Sequence, residues 1–162
     1  PDHPPEYSML SHSLQEIGQY QSAIAAARKA VDLKPDNAYY HFNLALTLAE
    51  IEGESAALEH FRKAHELAPE DKVFAKDLAV CYHNLACDKQ FRDNHAEAVD
   101  LLRLAIEIDP DYAGAHHMLA ISLVELGKTD EARNAINKAI ELDPGEMEYR
   151  ELNEKLRIDT DM

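Results

Sequence analysis

Leucines recur along the chain in pairs four residues apart: Leu10 with Leu14, Leu44 with Leu48 and Leu119 with Leu123, while Leu78 and Tyr82 complete the series. A spacing of four returns a side chain to the same helical face, so each pair marks a helix with one apolar side. Downstream, alanines keep a second phase. Ala23, Ala57, Ala98 and Ala132 each precede a proline by twelve residues, and Ala30, Ala64, Ala105 and Ala139 precede it by five. Those prolines, Pro35, Pro69, Pro110 and Pro144, lie 34, 41 and 34 residues apart. Each repeat therefore holds two helices, a leucine-marked first and an alanine-marked second. The unbranched alanines let the two axes approach near the short end of the usual separation, about 8 Å. The second helix closes on apolar residues such as Val31, Leu33, Ile106, Ile108, Ile140 and Leu142. A proline turn follows, because proline cannot continue a helix interior. Two helices of this size cannot bury their apolar faces alone, so stacked neighbours complete the core.

A Leu, Gly, Tyr, Ala, Ala and Pro pattern on a 34-residue period resembles the tetratricopeptide repeat family. Gly18 and Gly127 stand at that family's turn glycine and Tyr20 at its turn tyrosine. Glu52 and Glu54 replace this Gly and Tyr in the second repeat, and His65 interrupts an otherwise apolar position. The resemblance implies an all-α fold, a right-handed superhelical solenoid of antiparallel helix pairs, as a single array over residues 1–162. Its repeats are residues 4–37, 38–71, 72–112 and 113–146, followed by a capping helix and tail at 147–162. In that cap Tyr149, Leu152 and Leu156 form the inner stripe, and Glu148, Glu151, Glu154 and Lys155 face outward. Pro1-Asp2-His3 matches Pro35-Asp36-Asn37 in phase and reads as the close of a preceding repeat, the mark of a piece of a longer protein. The third repeat carries seven extra residues between Tyr82 and Ala98. Seven is close to two helical turns. About one turn is expected in each helix, with Asp93 or Asn94 capping the second and Phe91 at the tip, where local packing is the commoner role for such an aromatic.

Charge narrows the partners. The 162 residues carry 16 Lys and Arg against 31 Asp and Glu, a formal net charge of −15, which repels phosphate backbones and anionic lipid. Nucleic acid is excluded as a natural partner, and a protein or peptide with basic residues fits. The longest stretches free of Asp, Glu, Lys and Arg, Asn37 to Ala49 and Tyr112 to Val124, are too short for a membrane span, so no membrane insertion is expected. Cys81 and Cys87 make no disulfide framework, which favours a reducing, cytoplasmic setting. They lie six residues apart, about 600° around a helix, and so do not converge on a metal. His116 and His117 diverge by about 100°, and no catalytic or phosphate-binding motif is present. The chain reads as a non-enzyme without metal or cofactor.

Within the family the first helix of each repeat lines an inner groove. That mapping implies Tyr39, Phe42, Asn43, Leu46, Lys76, Val80, His83, His117 and Ile121 as ligand-binding residues, with Asn43, Lys76 and His83 as the polar contacts. Ser8, His12, Gln15 and Ala49 fall on the same surface. Both uncharged stretches are such first helices and lack the charged face that water would demand. Either a ligand or neighbouring helices cover them. Glu16, Glu50 and Glu125 recur near first-helix ends, as an acidic rim or as solvated termini. Of the carboxylate-clamp positions known in this family only Asn43 matches; Ser8, His12, Val73 and Asp77 stand at the others. The sequence thus points to a protein-interaction scaffold that takes a peptide or amphipathic helix. Its alternatives are the substrate-recognition region of a larger enzyme, such as a glycosyltransferase, and a scaffold that self-associates through the groove or the Phe91 tip.

Overall fold

The computed structural model describes residues 3–158, so Pro1 and Asp2 of the inferred N-terminal turn, and residues 159–162 of the acidic tail, lie outside the described residues. Among these, nine helices and no strand are present: α1 (Pro4–Glu16), α2 (Tyr20–Leu33), α3 (Ala38–Glu52), α4 (Glu54–Leu67), α5 (Lys72–Phe91), α6 (His95–Ile108), α7 (Ala113–Glu125), α8 (Thr129–Leu142) and α9 (Met147–Ile158). The packing divides the chain into two compact units between Cys81 and Tyr82, inside α5. Unit 1 holds α1 to α4 with the first half of α5, and unit 2 holds the rest. No helix among the described residues is long and apolar enough to cross a membrane.

Local chemistry sets the helix ends. Pro4 and Pro5 open α1, where the missing N–H is not required. The Asn37 side chain accepts the Tyr40 N–H at 3.3 Å to cap α3, and Asn94 accepts the Glu97 N–H at 3.3 Å to cap α6. Gly18 and Gly127 turn their hairpins at φ 74° and 71°, the left-handed region that glycine enters without strain. At the corresponding place after α5, Asp93 takes φ 60°. A second device closes the turns between repeats. His41 and His116 each place ring Nε2 3.0 Å from the carbonyl oxygen of the proline six residues earlier, Pro35 and Pro110. Arg150 reaches the Pro144 carbonyl over the same separation. Ala75, six after Pro69, has no group to do so.

The alanine phase is the core of both units. Ala23, Ala57, Ala98 and Ala132 are fully buried, and Ala30, Ala64, Ala105 and Ala139 are at most 1% exposed. In unit 1 the Phe42 ring lies 4.7 Å from Phe74 and 6.0 Å from Phe61, centroid to centroid. Leu102, Leu123 and Ile136 fill the centre of unit 2. In α9, Tyr149 and Leu156 are buried, while Glu148, Glu151, Glu154 and Lys155 are exposed.

Three expectations change. The seven extra residues enter the first helix alone: α5 has 20 residues, whereas α6 keeps the 14 of α2, α4 and α8. The second helix is pinned at both alanines and the proline, so growth there would break its register. The added turns of α5 carry Gln90, whose side-chain amide donates to the Met118 carbonyl at 2.9 Å and to Ser122 Oγ, tying the extension to α7. Phe91, beyond it, is 93% exposed and packs on nothing of substance. The leucine pair of α1 also departs from its counterparts. Leu10 is 47% exposed, whereas Leu44 and Leu78 are buried. α3 has the preceding helix α2 packed against it, and no described helix precedes α1.

Overpacking tests the alanine seam. Ala64→Leu is expected to lower stability by about 1–3 kcal/mol in urea unfolding, and Ala25→Leu, on the exposed side of α2, by less than about 0.5 kcal/mol.

Candidate functional site

A cleft of about 950 Å³ opens between α1 and α3 in unit 1. Four side-chain links build its floor, one of them diagonal, from Thr47 Oγ1 to Gln15 Oε1 at 3.3 Å over 32 residues. Asn43 Nδ2 donates to Ser8 Oγ, the Ser11 and Thr47 hydroxyls meet at 3.4 Å, and Gln15 Nε2 donates to Glu50 Oε2 at 2.8 Å. In the other three the partners are 35, 36 and 35 residues apart, and this nearly constant offset means that α1 and α3 run parallel with their repeats in register. Thr47 Oγ1 also donates to the Asn43 carbonyl at 2.8 Å, a local bond that fixes its rotamer. Polar groups that would otherwise need water thus satisfy one another. Above this floor stand apolar walls: Met9 is 72%, Tyr39 56% and Leu46 42% exposed. At the far end lie Glu50 and Glu54, and beside them His12 Nε2 is 3.7 Å from Glu16.

Tyr39, Asn43, Leu46 and Glu50 follow a spacing of four, three and four, which keeps them within about 60° of one another on α3. Phe42 does not belong to this stripe. Its direction differs from the mean of the four by about 70°, toward the core, and the side chain is only 8% exposed between Phe61 and Phe74. The groove role expected of Phe42 is therefore corrected to a core role. Lys76 is exposed and Val80 half-buried on α5, and neither lines the cleft. Burial raises the carboxyl pKa of neighbouring Asp77, and Lys76 partly offsets this. Met9 was not anticipated. It follows Ser8 directly, and its place on the wall is legible only from the five, nine and twelve spacing of Pro5, Met9 and His12 on α1.

The remaining expected residues lie in unit 2. His83 packs on Tyr112 with centroids 5.2 Å apart, one ring nitrogen 3.3 Å from Asn84 Oδ1 and the other 3.9 Å from Cys87 Sγ. His117 packs on Tyr149 at 4.7 Å. Ile121 is half-buried on α7. Burial lowers the pKa of both histidines; for His83 the Asn84 contact opposes it, and for His117 Glu148 and Glu146 oppose it while His83 adds to it. Cys81 is buried with its Sγ 3.7 Å from the Glu54 carbonyl, and burial pushes its thiol far above the ordinary range, which leaves it a packed, protonated core group. No group of three or more His, Cys, Asp or Glu among the described residues is placed to hold a metal ion. A smaller recess of about 360 Å³ between α6, α7 and α8 is crossed by an Arg103 to Glu131 ion pair at 2.8 Å.

Comparison with known proteins follows the same lines. A tetratricopeptide repeat profile matches residues 92–156 and a TPR repeat profile matches residues 13–51. Among curated protein sequences no match is found. Of solved structures, the chain is similar to a crystal structure of MamA, with a TM-score of 0.64 and 23% identity over 93% of this chain and 84% of that one. It is similar also to MamA 41-end from Desulfovibrio magneticus RS-1, with a TM-score of 0.67 and 17% identity over 99% and 87%. A third is YrrB, described as a TPR protein with an unusual peptide-binding site, with a TM-score of 0.62 and 21% identity over 91% and 73%. At these identities the likeness is one of fold: all-α, built of stacked helix pairs.

Three histidines share one electrostatic consequence. His60, whose Nδ1 lies 3.1 Å from His41 Nδ1, has its pKa lowered by burial first, then by His41 and Arg28, with Glu59 opposing. His83 and His117 are also lowered from 6.5. Above pH 6.5 all three are neutral whether the chain is folded or not, and their packing is fully available. Below it the unfolded chain takes up protons that the folded chain resists, so stability falls with pH. The urea midpoint is expected to drop between about pH 7.5 and 5.5, and a triple variant with Gln at positions 60, 83 and 117 to show a flatter profile.

Proposed function

Because this chain belongs to the tetratricopeptide repeat family, we propose that it is a non-catalytic interaction scaffold that binds a peptide or amphipathic helix of a protein partner in the cleft between α1 and α3. One observation carries the reading: Met9, Tyr39 and Leu46 leave an apolar surface open to solvent above a floor whose polar groups already have partners. A satisfied floor with uncovered apolar walls offers area to a ligand without unpaired polar groups to desolvate. YrrB, a TPR protein of similar fold, has an unusual peptide-binding site, which supports a peptide as the class of ligand. Outside the cleft, first-helix residues of the same kind stand in each unit taken by itself, Lys76 and Val80 in unit 1 and His83, His117 and Ile121 in unit 2, and we assign them as separate contact positions.

Self-association is a second reading, favoured by Phe91, whose ring is 93% exposed. A lone exposed aromatic costs little by itself, and at the end of α5 it offers a second copy an apolar contact. On this reading light scattering shows mass rising with concentration for the wild type and constant for Phe91→Ser.

Panning a random peptide library of about sixteen residues, long enough for an extended or a helical ligand, on the wild type and on Tyr39→Ala with Leu46→Ser tests the cleft. Selected peptides are expected to bind the double variant about tenfold or more weakly by fluorescence anisotropy, with circular dichroism unchanged. Phe42→Ala is expected instead to lower stability by about 3–5 kcal/mol. Equal binding by the double variant would show that the cleft is not the site.

A further inference from the structure

The cleft is electrically one-sided along its length. Its lining at the amino-terminal ends of α1 and α3, Pro5, Met9 and Tyr39, bears no charge. The carboxyl-terminal end bears Glu50 and Glu54, with Glu16 alongside, and no Lys or Arg lines any part of it. The last turns of α1 and α3 contain no basic residue to offset Glu16 and Glu50. Gln15 holds Glu50 through one oxygen at 2.8 Å, which fixes the direction in which the carboxylate faces. The chain as a whole, at a formal −15, draws cationic segments toward this end and repels anionic ones.

Resting on the cleft reading above, we propose that the ligand is a basic segment bound in one orientation, with an apolar anchor against Met9, Tyr39 and Leu46 and a Lys or Arg at the Glu50 end. The separation follows from the helix. Eleven residues divide Tyr39 from Glu50, a rise of about 16 Å. In an extended ligand, residues four apart share a side and span about 13 Å, and the long stem of Lys or Arg covers the remainder. In a helical ligand the matching pair is eleven apart, again on one face. The anchor supplies most of the buried apolar area, and the cation selects the direction.

The same random-peptide panning, read for composition, tests this inference. Peptides selected by the wild type are expected to combine an aromatic or branched apolar anchor with Lys or Arg about four residues away if extended or about eleven if helical, and selection on Glu50→Gln to keep the anchor and lose the basic preference. In a selected peptide, replacing that cation by Gln is expected to weaken binding to the wild type about fivefold at low salt. In about 0.5 M salt the difference shrinks, and with Glu50→Gln it vanishes while melting temperature stays the same or rises. A photo-crosslinker at the anchor should label Met9. Peptides with anchors but no basic preference, or crosslinks at the Glu50 end, would overturn the inference and leave the cleft reading standing. Peptides that bind Tyr39→Ala with Leu46→Ser as well as the wild type, or a failure to select any, would overturn both.

Discussion

Close approach of two helices over a small side chain is the constraint on which the rest depends. Each alanine-marked helix meets its neighbours at two fully or almost fully buried positions, such as Ala57 and Ala64 in α4. With no branch at those points the axes come together, and larger residues such as Leu44 and Phe61 fill the space on either side. Packing at interior density leaves no room for a shift by one residue, so the second helices keep one length and insertions go elsewhere. The parallel register of α1 and α3 follows, and with it the links from Ser8 to Asn43 and from Gln15 to Glu50 that make a cleft floor.

Much of this architecture was readable because it rests on residues with few substitutes. Proline stops a helix and alanine permits contact, so the period announces itself, and the cap at Tyr149 and Leu156 shows in the changed stripe. Other features were hidden for identifiable reasons. Tyr39-Tyr40-His41-Phe42 is an uncharged run that carries no phase of its own, and the difference between Tyr39 on a wall and Phe42 in the core lies in a rotation of about 60°. The paired leucines report a face but not whether another helix covers it, which is why Leu10 and Leu44 read alike and differ in exposure. The count of extra residues gave the size of the insertion without saying which helix receives it; the contact of Gln90 with Ser122 settles that and depends on distant residues meeting.

The turns between repeats show how side chains and backbone share the work. A histidine or arginine six residues past the proline reaches back to its carbonyl, as His41, His116 and Arg150 do. The proline removes a donor and the later side chain supplies one, so a carbonyl at the turn keeps a partner. His41 then spends its second nitrogen on His60. A single imidazole thereby joins a turn to the facing helix.

The carboxylates at the ends of α1 and α3 have a consequence for anyone who would improve this protein. Glu16 is the last residue of α1, and Glu50 stands in the final turn of α3. Negative charge at a carboxyl-terminal helix end is disfavoured by about 0.3–1 kcal/mol, so a procedure that optimises surface charge for thermal tolerance would replace these residues among the first. The product would be hardier and its cleft would have lost the charge that distinguishes one end from the other, a case in which robustness and recognition draw on the same few atoms.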